Sequence, residues 1–123
     1  MAEKVKDYRD LKVWQRAMDL VPKAYGIAQG LPRHEQFALA NQVRRAAVSI
    51  AANIAEGQAR KHTREFLQHL SIARGSLAEL HTLVLVAERL QYLVPGMSSE
   101  IEQAILDVRM PLSGLINRLQ DSS

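Results

Sequence analysis

Between residues 66 and 87 the chain reads FLQHLSIARGSLAELHTLVLVA. Phe66, Leu70, Ala73, Leu77, Leu80, Val84 and Ala87 recur at intervals of four and three without a slip, which places them on one face of an α-helix. Extended outward, the pattern predicts a helix over residues 63–92, the longest in the chain, with Thr63 as its N-cap and Phe66 at the third helical position. Within it, Leu83-Val84-Leu85-Val86-Ala87 is apolar all round the helix, as in helices buried on more than one side.

The same period runs through the rest of the sequence. Leu11, Trp14, Met18, Val21, Tyr25 and Ala28 mark a first helix over about 11–29, capped by Asp10 and stopped at Gly30-Leu31-Pro32. Pro22 inside it predicts a kink near residues 18–22. Ala40, Val43, Ala47, Ile50 and Ile54 mark a second helix over about 34–56, ending at Gly57 and rich enough in alanine for close backbone approach. Ile101, Ile105, Val108, Leu112, Leu115 and Leu119 mark a fourth over about 99–120. It follows a Pro95-Gly96-Met97-Ser98-Ser99 connection, is capped by Ser98 or Ser99, and is bent by Pro111. Short connections make successive helices antiparallel neighbours. The expected fold is therefore all-α, an up-down-up-down antiparallel four-helix bundle forming a single domain over residues 1–123.

The apolar faces are wider than one bundle needs. Val13, Ala17, Leu20, Ala24 and Ile27 form a second stripe on the first helix, beside the all-round apolar run 83–87. Burying that surplus calls for another copy of the chain, so a homo-oligomer is expected.

Composition narrows the function classes. The chain has 123 residues and no cysteine, which excludes disulfide scaffolds, zinc ribbons and thiol nucleophiles. Aromatic residues make up only 5%, against 47% for the apolar class as a whole, a balance that suits packed helices better than a β-sandwich. The start, MAEKVKDYRD, is too charged for a signal peptide, and no uninterrupted apolar run approaches a membrane span, so a cytoplasmic protein with no membrane partner is expected. Residues 1–74 carry 13 Lys and Arg against 7 Asp and Glu, whereas residues 75–123 carry 3 against 6. The net charge of +3 thus hides a strongly basic first part. Its densest cluster is Arg60-Lys61-His62-Thr63-Arg64, with Arg44-Arg45, Lys12, Arg16 and Lys23 upstream.

Polar residues inside the apolar pattern mark a second feature. Ser49, Asn53 and Glu56 share a face of the second helix, and Ser76 and Glu79 lie beside mid-helix Gly75 on the third, where close backbone packing would explain a glycine. Antiparallel pairing would join them into a structural hydrogen-bonded network that fixes helix register. The functional alternative, a paired-carboxylate acid–base site, lacks a nucleophile or cofactor loop beside it. His62, Glu65 and His69 share a helical face, but no further ligands complete a metal site. No nucleotide-binding glycine loop, nucleophile elbow or H-E-x-x-H motif occurs. No catalytic residue, cofactor or metal is expected.

Three ordered motifs resemble one known family. They are Tyr8-Arg9-Asp10-Leu11-Lys12-Val13-Trp14-Gln15-Arg16-Ala17; Gln42 through Ile50 leading to Asn53-Ile54-Ala55-Glu56-Gly57; and Arg60 through Leu67 followed by Ile72-Ala73-Arg74-Gly75-Ser76-Leu77-Ala78-Glu79-Leu80. On these the chain resembles the four-helix-bundle proteins named for the 23S rRNA intervening sequence. The resemblance spans residue 8 to about 93, and the last helix matches only as an amphipathic segment. Pro22, Pro111 and Ala51-Ala52 depart from the family pattern.

The resemblance implies a bacterial, left-handed bundle assembled as a ring-shaped homopentamer. It also implies a distant likeness to a basic accessory protein that serves a retroelement reverse transcriptase. Together with the charge pattern it leads to an expected function: a non-enzymatic oligomer that binds nucleic acid, structured RNA in particular, through a basic face. The contacts would be Arg60, Lys61 and Arg64, with Arg44, Arg45, Lys12 and Arg16 as additions. Aromatic side chains are few and patterned as core, so binding should be driven by the backbone and weakly sequence-selective. The alternative is a protein–protein scaffold that recruits a partner such as a polymerase.

Overall fold

The four apolar periods become four helices in a computed structural model that describes residues 6–122. Met1–Val5, the opening of the charged N-terminal stretch, and Ser123 lie outside the described residues. The helices are α1 (Lys12–Gly30), α2 (Leu39–Gln58), α3 (Thr63–Arg89) and α4 (Pro95–Asp121). Short 3₁₀ turns at Tyr8–Asp10 and Arg33–Glu35 precede the first two. Among the described residues there is no strand. Each helix packs on its neighbours in sequence, α4 returns to α1, and among the described residues the backbones of the diagonal pairs make no close approach. That cyclic adjacency is a four-helix bundle with antiparallel neighbours. One end gathers the start of α1, the α2–α3 turn and the end of α4, while the other joins the two remaining connections.

Three of the four predicted stripes form the core. Ala40, Val43, Ala47, Ile50 and Ile54 of α2 are buried, as are Leu70, Ala73, Leu77, Leu80, Val84 and Ala87 of α3. On α4, Ile101, Ile105, Val108, Leu112 and Leu115 are buried, with Leu119 at the edge. All buried core side chains are apolar.

On α1 the two stripes exchange roles. Val13, Ala17, Leu20, Ala24 and Ile27, read as surplus, are the core face, whereas Met18 and Tyr25 are 44% and 43% exposed and Trp14 and Val21 half-buried. The stripes differ by one residue and have the same period, so periodicity cannot choose between them. Side-chain size does: Ala17 and Ala24 let α1 approach its neighbours closely, and the bulkier stripe lies along the seam.

The helix ends depart from expectation for identifiable reasons. Asp10 does not cap α1, whose N-cap is Leu11 without a side-chain bond. Asp10 instead closes a capping box on the preceding 3₁₀ turn, in which Asp7 Oδ1 accepts from the Arg9 amide at 2.7 Å and Asp10 Oδ2 from the Asp7 amide at 3.2 Å. α2 begins five residues later than predicted because Arg33–Glu35 forms a separate turn. There the Gln36 side-chain amide donates to the carbonyls of Ala28 and Leu31 and satisfies the end of α1.

α3 begins at Thr63 with His62 as N-cap, so Thr63 is not the cap. It stops at Arg89 through left-handed Gln91 (φ 62°), where Tyr92 N–H donates to Ala87 C=O and Gln91 N–H to Glu88 C=O, a Schellman closure without glycine. α4 starts at Pro95 rather than at the serines, because proline at the first helical position has no amide to satisfy and a preset φ. Both α1 and α4 run continuously through Pro22 and Pro111.

The two glycines of interest also exchange roles. A Cβ on Gly75 would meet nothing within 4 Å, so close packing does not explain it. Gly57, read as a helix stop, lies inside α2 at its closest approach to α3, where a Cβ would come 2.7 Å from His69 Cβ.

Candidate nucleic-acid interface

The antiparallel topology decides which cations become neighbours. The α2–α3 turn carries Arg60 and Lys61, the first turn of α3 carries Arg64, and all three are exposed. α1 begins beside that turn and brings exposed Lys12, with half-buried Arg16 one turn further in. Leu115 and Leu119 line the same groove as Arg60 and Lys61, so the end of α4 places Arg118 at this end too. The positive poles of α1 and α3 at this end are offset by the negative poles of α2 and α4, so the side-chain cations set its charge.

Acidic groups neutralise part of this field. Asp7 binds Arg9 at 2.8 Å, and its hydrogen bonds from Arg9 hold its carboxyl below the usual carboxylate range while raising the Arg9 guanidinium. Arg60 lies between Glu56 and Glu65, each 3.8 Å away. Exposed pairs at that distance are weak. Lys12, Lys61, Arg64 and Arg118 form no ion pair among the described residues.

Arg44 and Arg45 are not part of this end. They lie about 22 Å up the α2 axis from Arg60, at 1.5 Å per residue. Half-buried Arg44 donates to the Gln36 carbonyl at 3.0 Å and so braces the α1–α2 connection, whereas exposed Arg45 faces grooves shared with Tyr25 and with Glu79. The seven cations singled out in the sequence therefore divide into two separate groups. Arg118 was missed, although an antiparallel bundle requires the last turn of α4 to lie beside the α2–α3 turn.

The polar network runs up the α2–α3 seam from the basic end. Asn53 Nδ2 donates to Ser49 C=O at 2.9 Å and to Ser49 Oγ at 3.1 Å, which leaves the Ser49 hydroxyl free to donate to Ser76 Oγ at 2.8 Å. His69, absent from the expected network, joins it: its Nδ1 lies 3.2 Å from Asn53 Oδ1 and 3.4 Å from Glu56 Oε2. Both neighbours are acceptors, so Nδ1 is placed to donate to them.

Glu79 stays outside the network, in the groove with Gln42 and Arg45. Ser49 opposite Ser76 and Glu56 opposite His69 fix the register, and this puts Glu79 level with Ala46, roughly 15 Å from Glu56 along the helices. Paired-carboxylate chemistry needs its two acids within roughly 5–10 Å. His69 turns to α2 rather than to His62, and among the described residues no group of three His, Asp or Glu is placed to hold a metal ion.

Aromatic placement corrects another expectation. Phe66 and Trp14 border the core, but Phe37 is 97% exposed in the α1–α2 connection, and Tyr25 on α1 is exposed as well. α3 is long and apolar enough by composition to cross a membrane, yet its stripe from Leu70 to Ala87 packs inside the bundle.

These features define an all-α bundle protein with one cationic end and a polar ladder along one helix seam, in which nothing indicates catalysis. The family model described as 23S rRNA-intervening sequence protein matches residues 9–114, and the chain belongs to that family. Among solved structures, the chain is similar to a protein of unknown function from the S23 ribosomal protein family of Bacteroides thetaiotaomicron VPI-5482. The two share 20% identity and a TM-score of 0.79, over 85% of this chain and 95% of that one. At that identity the likeness is one of fold. No curated protein matches the chain.

Proposed function

We propose that this chain is a non-enzymatic, oligomeric helical bundle of the cytoplasm that binds structured RNA through the end formed by Lys12, Arg60, Lys61, Arg64 and Arg118. The observation that carries the reading is the convergence of cations from α1, the α2–α3 turn, α3 and α4, four of them unpaired among the described residues. Each phosphate neutralised by such a cation contributes roughly −0.9 to the slope of log K against log salt, so four give a slope of roughly −3 to −4 per chain.

Fluorescence anisotropy with a labelled RNA hairpin at rising salt tests this. The combined variant K61E/R64E/R118E should abolish binding while circular dichroism and assembled mass stay unchanged. R45E, at the far end, should change binding much less. No binding at low salt, or binding indifferent to salt, refutes the reading.

The sides of the bundle support self-association. Met18 and Val48 are exposed on α1 and α2, Ile72, Leu85 and Val86 on α3, and Leu106 and Met110 on α4. Patches on several faces cannot all be buried in one two-fold pair, but a ring, such as the pentamer the resemblance implies, buries different faces of each copy. Light scattering measures it directly.

A second reading, a scaffold that recruits a protein such as a polymerase or reverse transcriptase, is favoured by the opposite end. There Phe37 (97% exposed), Leu90 (50%) and Val94 (61%) project from two connections tied together by the Tyr92–Glu35 hydrogen bond. Loss of partner capture in F37A, with RNA binding intact, would support it.

A further inference from the structure

We infer that the basic end takes an unpaired nucleotide, so that the RNA recognised there carries a bulge, loop or free end rather than an uninterrupted duplex. The inference rests on the proposed RNA binding and concerns the same site. The cations do not sit on a flat surface: between them the ends of α1 and α4 and the α2–α3 turn enclose a groove of about 330 Å³. Its floor is apolar, made by Phe66, Leu115 and Leu119, and its rim carries Arg60 and Lys61. Half-buried Gln58 also lines it, and its side-chain amide has no hydrogen-bond partner among the described residues.

A cation cluster alone would serve any polyanion, and an apolar groove alone any apolar side chain. Their combination suits a ligand with a flat, largely apolar body, amide-like edges and an attached negative charge. A nucleobase on its sugar-phosphate has those properties. The base would lie against Phe66 and Leu119, its edge would meet the Gln58 amide, and its flanking phosphates would meet Arg60 and Lys61. A base inside an A-form helix is stacked and paired, and its edges are poorly reached by side chains, so only an unpaired nucleotide can enter. Phe66 therefore gives the site the base contact that a count of aromatic residues in the sequence argued against.

The test compares two labelled, blunt-ended RNA hairpins of equal length, each closed by a non-nucleotide linker in place of a loop, one fully paired and one with a single bulged uridine, at one fixed salt concentration. Wild-type protein should bind the bulged hairpin about tenfold more tightly, the order expected for one base held by stacking and edge contact. Q58A removes the edge contact and L119W fills the groove. Each should erase the preference while leaving affinity for the paired hairpin unchanged, with circular dichroism confirming the fold.

Equal binding of the two hairpins by wild-type protein overturns this inference and leaves the RNA reading standing. So does a preference that survives both variants. Failure to bind either hairpin at low salt overturns both.

Discussion

Replacing Gly57 and Gly75 by alanine should move stability in opposite directions. A methyl group on Gly57 would lie 2.7 Å from His69 Cβ, 3.0 Å from Phe66 Cδ1 and 3.3 Å from the Phe66 carbonyl oxygen. Ordinary contact begins near 3.4 Å, so α2 and α3 must part by about 0.7 Å. A Cβ cannot rotate out of the way, and the movement also stretches the adjoining Glu56–His69–Asn53 contacts.

Overpacking costs about 1–3 kcal/mol, and three contacts inside 3.4 Å, one of them to backbone, put this site in the upper part of that range, about 2–3 kcal/mol, of which the better helix propensity of alanine returns about 1 kcal/mol. G57A should therefore lose about 1–2 kcal/mol. Gly75 lies exposed in the middle of α3 with nothing near its would-be Cβ, so G75A should gain about 0.5–1 kcal/mol from reduced backbone freedom. The two variants should differ by about 2 kcal/mol, or roughly 6–10 °C in Tm. Urea and thermal unfolding, followed by circular dichroism at one protein concentration, would measure it, since self-association shifts apparent stability. A G57A variant as stable as the wild type, or a G75A variant as damaged as G57A, would refute this account of the α2–α3 seam.

Four further outcomes can be checked. L20A should cost about 2–5 kcal/mol and M18A within about 0.5 kcal/mol, because Leu20 is fully buried and Met18 is 44% exposed; urea midpoints giving the reverse order would restore the other α1 stripe to the core. S49A and S76A should each cost about 1 kcal/mol, and the double variant clearly less than their sum, since S49A leaves the Ser76 hydroxyl unpaired and S76A leaves the Ser49 hydroxyl with the Asn53 amide alone; simple additivity in a double-mutant cycle would deny the 2.8 Å bond. Q91G should stabilise by about 1 kcal/mol in urea unfolding, because Gln91 holds a φ of 62° that glycine adopts freely. Tyr92 should ionise above the ordinary tyrosine value in an ultraviolet titration, and Y92F should remove that late step. Its hydroxyl donates to Glu35 at 2.9 Å, which raises its pKa above the ordinary value of 10.0, so the stability it lends is present below that value and lost as pH climbs through the raised one.

Which parts of the molecule were legible in the chain follows from what each signal encodes. The α3 stripe was readable because a long helix repeats the same choice seven times, from Phe66 to Ala87. The two α1 stripes were not separable, because both obey the same period and only the fit of Ala17 and Ala24 against neighbouring helices selects one. Helix ends failed wherever a less common device did the work: proline at the first position of α4, left-handed Gln91 after α3, and the Gln36 amide closing α1. The basic end was half legible. Arg60, Lys61 and Arg64 are adjacent in sequence and declared themselves, whereas Arg118 became their neighbour only through topology. Arg44 and Arg45 looked like members but are separated by the length of α2. His69 was read against its sequence neighbours His62 and Glu65, although the residues that define it, Asn53 and Glu56, stand across a helix seam.

The division of the surface bears on how the proposed activities could coexist. In an antiparallel bundle the sides are long and the ends small, and here the two ends differ in chemistry. One carries Lys12, Lys61, Arg64 and Arg118, while the other carries Phe37, Leu90 and Val94. A ring built through apolar side patches such as Val86 and Met110 would leave both ends free and repeat each around its axis. Four cations per copy are modest for binding RNA, but several copies in register bind one RNA with a high effective concentration at every site after the first. Self-association and RNA affinity are then coupled. A substitution such as L106D, about 18 Å along α4 from Arg118, should weaken RNA binding if it dissociates the assembly, and leave it untouched if a single chain binds alone. Measuring the two quantities on the same variant separates a surface that gathers copies from one that merely tolerates exposed apolar groups.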